Sequence, residues 1–298
     1  VCVSVCVSVS VSVSVWLWLL HKCVPWSRYD FAQMASVGIQ HVRLPVGWWV
    51  FASFPLPAES TLLPDPCYPD QKFVTVSGSM LETLLRTGQR HGVKFLVDMH
   101  AMPCGSSDGT YNGVFPANPQ FFSNASAQAQ GLAVVRNMIS WYQALPDDLQ
   151  PAVWGFTLLN EPGLGVVSSG AGINGGGVRK GNTALPNNKP VLNWLGQAVT
   201  IFKETLTAPS GAPRGPNMPL LYMNLHESAF PGSDALGQMG RACKSFGLAG
   251  MPWAVFDVHH YFSWGGSDGS GIPAQNCSTD TALRAYVRQT MESWTRQF

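Results

Sequence analysis

The sequence predicts an α/β chain of the (β/α)8 TIM-barrel class, in an incomplete form. Three observations carry that expectation. From about residue 29 onward, segments with helical spacing of apolar residues alternate with short apolar runs of strand length. Those runs end in polar residues capable of chemistry, and a barrel builds its active site at the carboxyl ends of its strands. No run is followed by G-x-G-x-x-G or G-x-x-x-x-G-K-[ST], which weighs against the rival architecture, a doubly wound nucleotide-binding sheet.

The elements are expected in the following order. Residues 30–35 form a short helix ended by Gly38, and residues 39–45 a strand. Residues 52–70, rich in Pro, Asp and Ser, form a loop. An amphipathic helix spans 77–91 with Gly92 as its stop, and a strand follows at 93–100. A Gly/Pro/Asn-rich loop covers 101–119. A helix covers 125–144, a strand 153–160, and a Gly/Asn-rich loop 163–190. A helix at 190–206 and strands at 220–225 and 254–260 come next, with a last helix at 279–297.

The first 22 residues stand apart as a low-complexity segment outside the fold, leaving 23–298 as the barrel domain. Residues 1–15 alternate Val with Ser or Cys so regularly that a translated nucleotide repeat explains them better than a selected strand. The uncharged stretch 1–20 is about long enough to span a bilayer, which keeps an N-terminal signal anchor open.

Composition limits the function classes. The chain has 298 residues, 46% hydrophobic and 12% charged, with a net charge of +1. No basic field exists to hold nucleic acid, and no protein partner is implied, so a monomer is expected. Eleven Trp exceed ordinary usage, and aromatic rings stack on the apolar faces of sugars. The seven Cys form no C-x-x-C pair, and their odd number leaves at least one outside any intramolecular disulfide. Sequons at Asn124 and Asn276 lean toward an extracellular or cell-wall location.

The chemistry concentrates at five strand ends: Arg43, Asp98 with His100, Asn160 with Glu161, His226 with Glu227, and His259 with Tyr261. Alternation along a strand puts Asp98 and His100 on one face, and likewise His259 and Tyr261. Asn160 and Glu161 are adjacent, so both reach one site only if the strand ends or bulges there, and Pro162 fits such an ending. Glycoside hydrolysis needs a carboxylic acid to protonate the leaving oxygen, and Glu161 suits that role. An Asn beside it can bind a sugar 2-hydroxyl.

The segments HVRLPVGWW (41–49), FLVDMHAMPCGSSDGTYNG (95–113), VWGFTLLNEPG (153–163), LLYMNLHESAF (220–230) and VFDVHHYF (255–262) resemble glycoside hydrolase family 5, within it the exo-β-1,3-glucanase branch. The resemblance implies retaining hydrolysis of β-1,3- or β-1,4-glucosidic bonds in a glucan or oligosaccharide, with no metal or cofactor. It makes Glu161 the acid/base, Asn160 its neighbour on the sugar, and Arg43 the support of the nucleophile. It places His100 in the glucosyl site and His259 and Tyr261 near the catalytic carboxylates. His226 and Glu227 correspond to a His-Asp substrate contact, with Glu in place of Asp. Trp49 and Trp264 are expected to bind substrate through their rings. A non-catalytic sugar-binding relative, an inactive or non-folding fragment, and a metal-dependent barrel hydrolase using Asp98, His100, His226 and His259 are the rival readings.

The family carries its nucleophile Glu at the end of strand seven. No apolar strand ending in Glu follows Tyr261, and Glu292 lies within a helical pattern. The expectation is therefore a partial barrel, strands two to six with their helices, whose nucleophile is missing.

Overall fold

A computed structural model describes residues 28–107, 119–162, 189–224 and 235–257, together with the helical positions 281 and 285. Among the described residues these elements are formed: α1 (Arg28–Ser36), β1 (His41–Gly47), β2 (Leu62–Pro64), β3 (Lys72–Val74), α2 (Gly78–Arg90), β4 (Lys94–Ala101), α3 (Ala125–Ala144), β5 (Val153–Thr157), α4 (Lys189–Leu206), β6 (Leu220–Asn224), α5 (Ala235–Ser245) and β7 (Ala254–Asp257). The main sheet runs β1-β4-β5-β6-β7, and every neighbouring pair in it is parallel. Strand order follows chain order without reversal. That is the winding of a barrel; a doubly wound sheet reverses at a switch point. The five expected strands are therefore present.

The register explains how two chemically opposite faces arise. Arg43 lies beside Leu96, Asp98 beside Thr157, Thr157 beside Tyr222, and Asn224 beside Asp257. Paired residues of a parallel ladder share a face, and so do residues two apart. One face of the sheet thus collects Arg43, Asp98, Thr157, Tyr222, Asn224 and Asp257. The alternate positions Val46, Phe95, Val97, Met99, Phe156, Leu221 and Met223 are buried. They pack in one core with Leu81 and Leu85 of α2, Val134, Met138 and Ile139 of α3, and Trp194, Ala198 and Phe202 of α4. Each such side chain contributes roughly 1.5–3 kcal/mol when fully buried. At Gly88 the packing leaves no room for a side chain, because a Cβ there would come within 2.5 Å of the Phe95 ring.

Local chemistry sets the helix starts. The Ser77 hydroxyl accepts from the Met80 N–H and caps α2, and Asn124 Oδ1 accepts from the N–H groups of Ser126 and Ala127 and caps α3. Asn124, the first residue of a sequon, is therefore also a structural cap.

At the amino ends of the strands the inner face is closed by a small aromatic cluster. The register between β4 and β5 slips beside Trp154, between Phe95 and Leu96. The Trp154 ring meets the His41 ring at 4.3 Å between centroids and lies under the Lys94 ammonium. Its indole N–H donates to the Tyr222 hydroxyl at 2.7 Å. Burial, and secondarily the Lys94 charge, lower the pKa of His41 below its ordinary value. His41 is thus packed as a structural residue.

Three elements, β2, β3 and α5, depart from the expected order. The segment 52–70, expected as loop, contributes β2, which pairs antiparallel with β3 from Leu62↔Val74 to Pro64↔Lys72. Three-residue strands among prolines carry too little period to be legible. Helix α5 was not expected either, because Gly237 and Gly240 interrupt its pattern. Met239 and Ala242, three apart, nevertheless bury one face of it.

The hairpin is fastened to the sheet by a disulfide between Cys67 and Cys104, with Cα atoms 5.1 Å apart. Asp65, fully buried, completes the junction. Its Oδ1 accepts from the N–H groups of Cys67 (2.9 Å) and Tyr68 (3.1 Å), and its Oδ2 from that of Cys104 (3.0 Å). The bridge closes a loop of 37 residues, so replacing both cysteines by Ser is expected to lower stability by about 3–4 kcal/mol. Urea melts of the double variant against the oxidised parent measure this, and a shift below about 1 kcal/mol would count against it. Cys243 is the free cysteine among the described residues, and burial pushes its thiol up to about 12.

Candidate active site

The site grows from the inner face of β1 and the carboxyl halves of β4 and β5; Arg43, expected at a strand end, is instead the third of the seven residues of β1 and reaches the site from within the strand. At its base lies Asp98, completely buried on β4. A buried carboxylate needs compensating donors, and two are supplied. Arg43 Nη2 on β1 stands 3.1 Å from Asp98 Oδ2, and His100 Nδ1 donates to the same oxygen at 2.5 Å. His100 is also the residue passed over where the β1–β4 register shifts, with Val46 opposite Met99 and Gly47 opposite Ala101. Such irregularities re-aim a side chain at a strand end.

β5 stops at Thr157, and residues 158–160 turn away from the ladder. This is the early strand ending that adjacent residues Asn160 and Glu161 require if both are to serve one site. Glu161 has φ +38°, in the left-handed region, which a non-glycine residue enters at a cost of roughly 1–2 kcal/mol. The residue before a proline also favours extended backbone, so Glu161 departs from two local preferences at once. The Asn160 N–H donates to the Met99 carbonyl at 2.7 Å.

Donor rules then orient every polar atom. A guanidinium only donates, so the Asn160 atom hydrogen-bonded by Arg43 Nη2 is the amide oxygen Oδ1. The amide nitrogen must point the other way, and it lies 3.5 Å from His100 Nε2. With Nδ1 of His100 donating to Asp98, Nε2 is the acceptor. Arg43, Asn160, His100 and Asp98 thus form a ring of three hydrogen bonds closed by the Arg43–Asp98 ion pair. Glu161 follows directly on this ring, and it is only 5% exposed.

Four expected site residues, Arg43, His100, Asn160 and Glu161, are therefore brought together. Trp49 is half-buried, its ring stacked on Phe73 at 3.9 Å and 5°. It also covers Gly47, where a Cβ would meet the ring at 2.2 Å. His226, Glu227, His259, Tyr261 and Trp264 lie outside the described residues. Sequence reasoning missed Asn224, at the end of β6, whose Oδ1 accepts from the Glu161 N–H at 2.6 Å. Its position, a polar residue ending the run Leu-Leu-Tyr-Met, was the available signal.

For metal binding, Asp65, Cys67 and Cys104 are the described residues whose ligand atoms come together, but both thiols are spent in the disulfide. Among the described residues, no helix is long and apolar enough to cross a membrane.

Comparison with known proteins bears on the fold and the kind of relative. No family model matches the chain. It is 26% identical over 152 residues to a probable glucan 1,3-β-glucosidase A of Aspergillus fumigatus, a match covering 50% of this chain and 32% of that protein. It is 30% identical over 144 residues to the sporulation-specific glucan 1,3-β-glucosidase of Saccharomyces cerevisiae, covering 46% and 28%. The chain thus spans about a third of the length of these curated relatives. The crystal structure of rutinosidase from Aspergillus niger superposes with a TM-score of 0.54 at 17% identity, over 84% of this chain and 58% of that one. The structural likeness bears out the fold class, and the relatives bear out the resemblance to glycoside hydrolase family 5.

Proposed function

We propose that this chain is a retaining glycoside hydrolase acting on β-1,3- or β-1,4-glucosidic bonds of glucans or their oligosaccharides, with Glu161 as acid/base. The observation that carries the reading is the linkage of Arg43, His100 and Asn160 around the buried Asp98, with Glu161 next in the chain and itself buried. The names of the two relatives, both glucan 1,3-β-glucosidases, support the substrate class.

In the first step Glu161 protonates the glycosidic oxygen as a second carboxylate attacks the anomeric carbon. In the second step Glu161 takes a proton from water, which releases the sugar. The attacking carboxylate must stand roughly 5–5.5 Å from Glu161; this sequence offers no strand-end Glu for that role after Tyr261, so turnover here and below is proposed for the whole protein that supplies one. With one N–H of the Asn160 amide directed to His100, the second is left for the sugar 2-hydroxyl, a contact that strengthens in the transition state. His259, Tyr261, His226, Glu227, Trp49 and Trp264 complete the proposed site as neighbours of the carboxylates and as substrate contacts. The disulfide supports an extracellular setting, where such bonds persist.

Proton NMR of the first product formed from a laminari-oligosaccharide tests the mechanism. The β-anomer is expected to appear before mutarotation. An α-anomer would overturn the double displacement. Binding of the oligosaccharide without cleavage would favour the non-catalytic sugar-binding reading.

A further inference from the structure

We propose that Asn224 is a positioning residue for the acid/base, holding Glu161 in its left-handed backbone conformation so that its carboxyl faces the leaving oxygen. The inference rests on the reading of Glu161 as acid/base. A strained backbone persists only where its surroundings over-determine it, and Glu161 is strained by its own φ of +38° and by the following Pro162. With β5 ended at Thr157, the Glu161 N–H has no ladder partner, and a buried amide must find one. It finds Asn224 Oδ1 at 2.6 Å.

Asn224 is well placed to hold that contact. It is 2% exposed, at the carboxyl end of β6. Because its oxygen accepts from Glu161, its Nδ2 points to β7, with the Asp257 carbonyl at 3.5 Å and the Asp257 carboxylate at 3.4 Å. The amide is therefore oriented from both ends. Asn160, one residue earlier, is tied to β4 through Met99. The acid/base is thus pinned between β4 on one side and β6 with β7 on the other. Asp257 is the charged residue hydrogen-bonded to Asn224 among the described residues, while Arg43, Asp98 and His100 are linked to Glu161 through Asn160.

The test compares the full chain with Asn224→Ala and Asn224→Asp, reading turnover of a laminari-oligosaccharide, melting temperature and amide hydrogen exchange at Glu161. The alanine variant is expected to lose about tenfold to 100-fold in kcat with KM within roughly threefold, and to lose protection of the Glu161 amide. Asn224→Asp keeps an acceptor oxygen. It is expected to restore most of the protection and kcat. Equal losses in both variants, or an alanine variant with unaltered kcat and exchange, would overturn the proposal. Should the alanine variant not fold, Asn224→Ser keeps a shorter acceptor. It is expected to lower kcat at constant KM, and an unchanged kcat overturns the proposal. Glu161→Gln serves as the control that separates the two readings. If it hydrolyses normally, the acid/base assignment fails whatever Asn224 does, and the exchange measurement still decides the contact.

Discussion

Replacing Glu161 by Gln is expected to lower kcat on an unactivated β-glucan by roughly 10²–10⁴-fold, the range that a positioned general acid contributes. The substitution preserves shape and hydrogen-bonding capacity but removes the transferable proton. Glu161 is buried and its backbone N–H is held by Asn224, so the variant is expected to fold with a melting temperature close to that of the parent. KM on the glucan is expected to stay near the parental value, because the loss falls on the transition state. An aryl β-glucoside with an acidic phenol leaves without proton assistance, so its first step is expected to survive the substitution. The second step then limits, because no base activates water, and azide is expected to accelerate it and to yield a β-glucosyl azide. Near-normal turnover of the unactivated glucan by Glu161→Gln would falsify the assignment.

Much of this site was legible in the sequence because strand ends carry a local signature. Asp98 with His100 and Asn160 with Glu161 follow apolar runs, and barrel architecture gathers such ends; Arg43 instead sits third in β1, on the face that alternation shares with Asp98. Alternation also indicated that Asn160 and Glu161 could serve together only if β5 ended early, and it ends at Thr157. What escaped were relations between segments distant in the chain. Asn224 meets Glu161 across 63 residues, and no spacing rule reports such a contact. Asp65 reads as one more loop residue, yet it gathers three backbone N–H groups around the disulfide. Seven cysteines admit many pairings, so Cys67 with Cys104 had to come from coordinates. Glycines concealed α5, and prolines concealed β2.

The second large effect is expected at Asp98. Asp98→Ala removes the carboxylate on which both Arg43 and His100 converge, and leaves a guanidinium that is three-quarters buried without its counter-charge. Arg43 Nε is already buried without a partner among the described residues, so its remaining hydrogen bond is to Asn160. Breaking a buried ion pair by deleting one member costs about 3–5 kcal/mol. The partial exposure of Arg43 and His100 argues for the lower end, about 3 kcal/mol. Activity is expected to fall as well, by about 10–100-fold. Without the carboxylate, no partner fixes which His100 nitrogen carries the proton, and the Asn160 amide loses its acceptor at His100. The ion pair between Arg86 and Asp148, at 3.0 Å with both side chains exposed, supplies the contrast. Asp148→Ala is expected to change stability by less than about 1 kcal/mol and to leave hydrolysis as in the parent. Urea melts and kcat measured on both variants compare a buried carboxylate with an exposed one in the same chain. If Asp98→Ala proved as mild as Asp148→Ala, the ring around Asp98 would not be what orients His100 and Asn160.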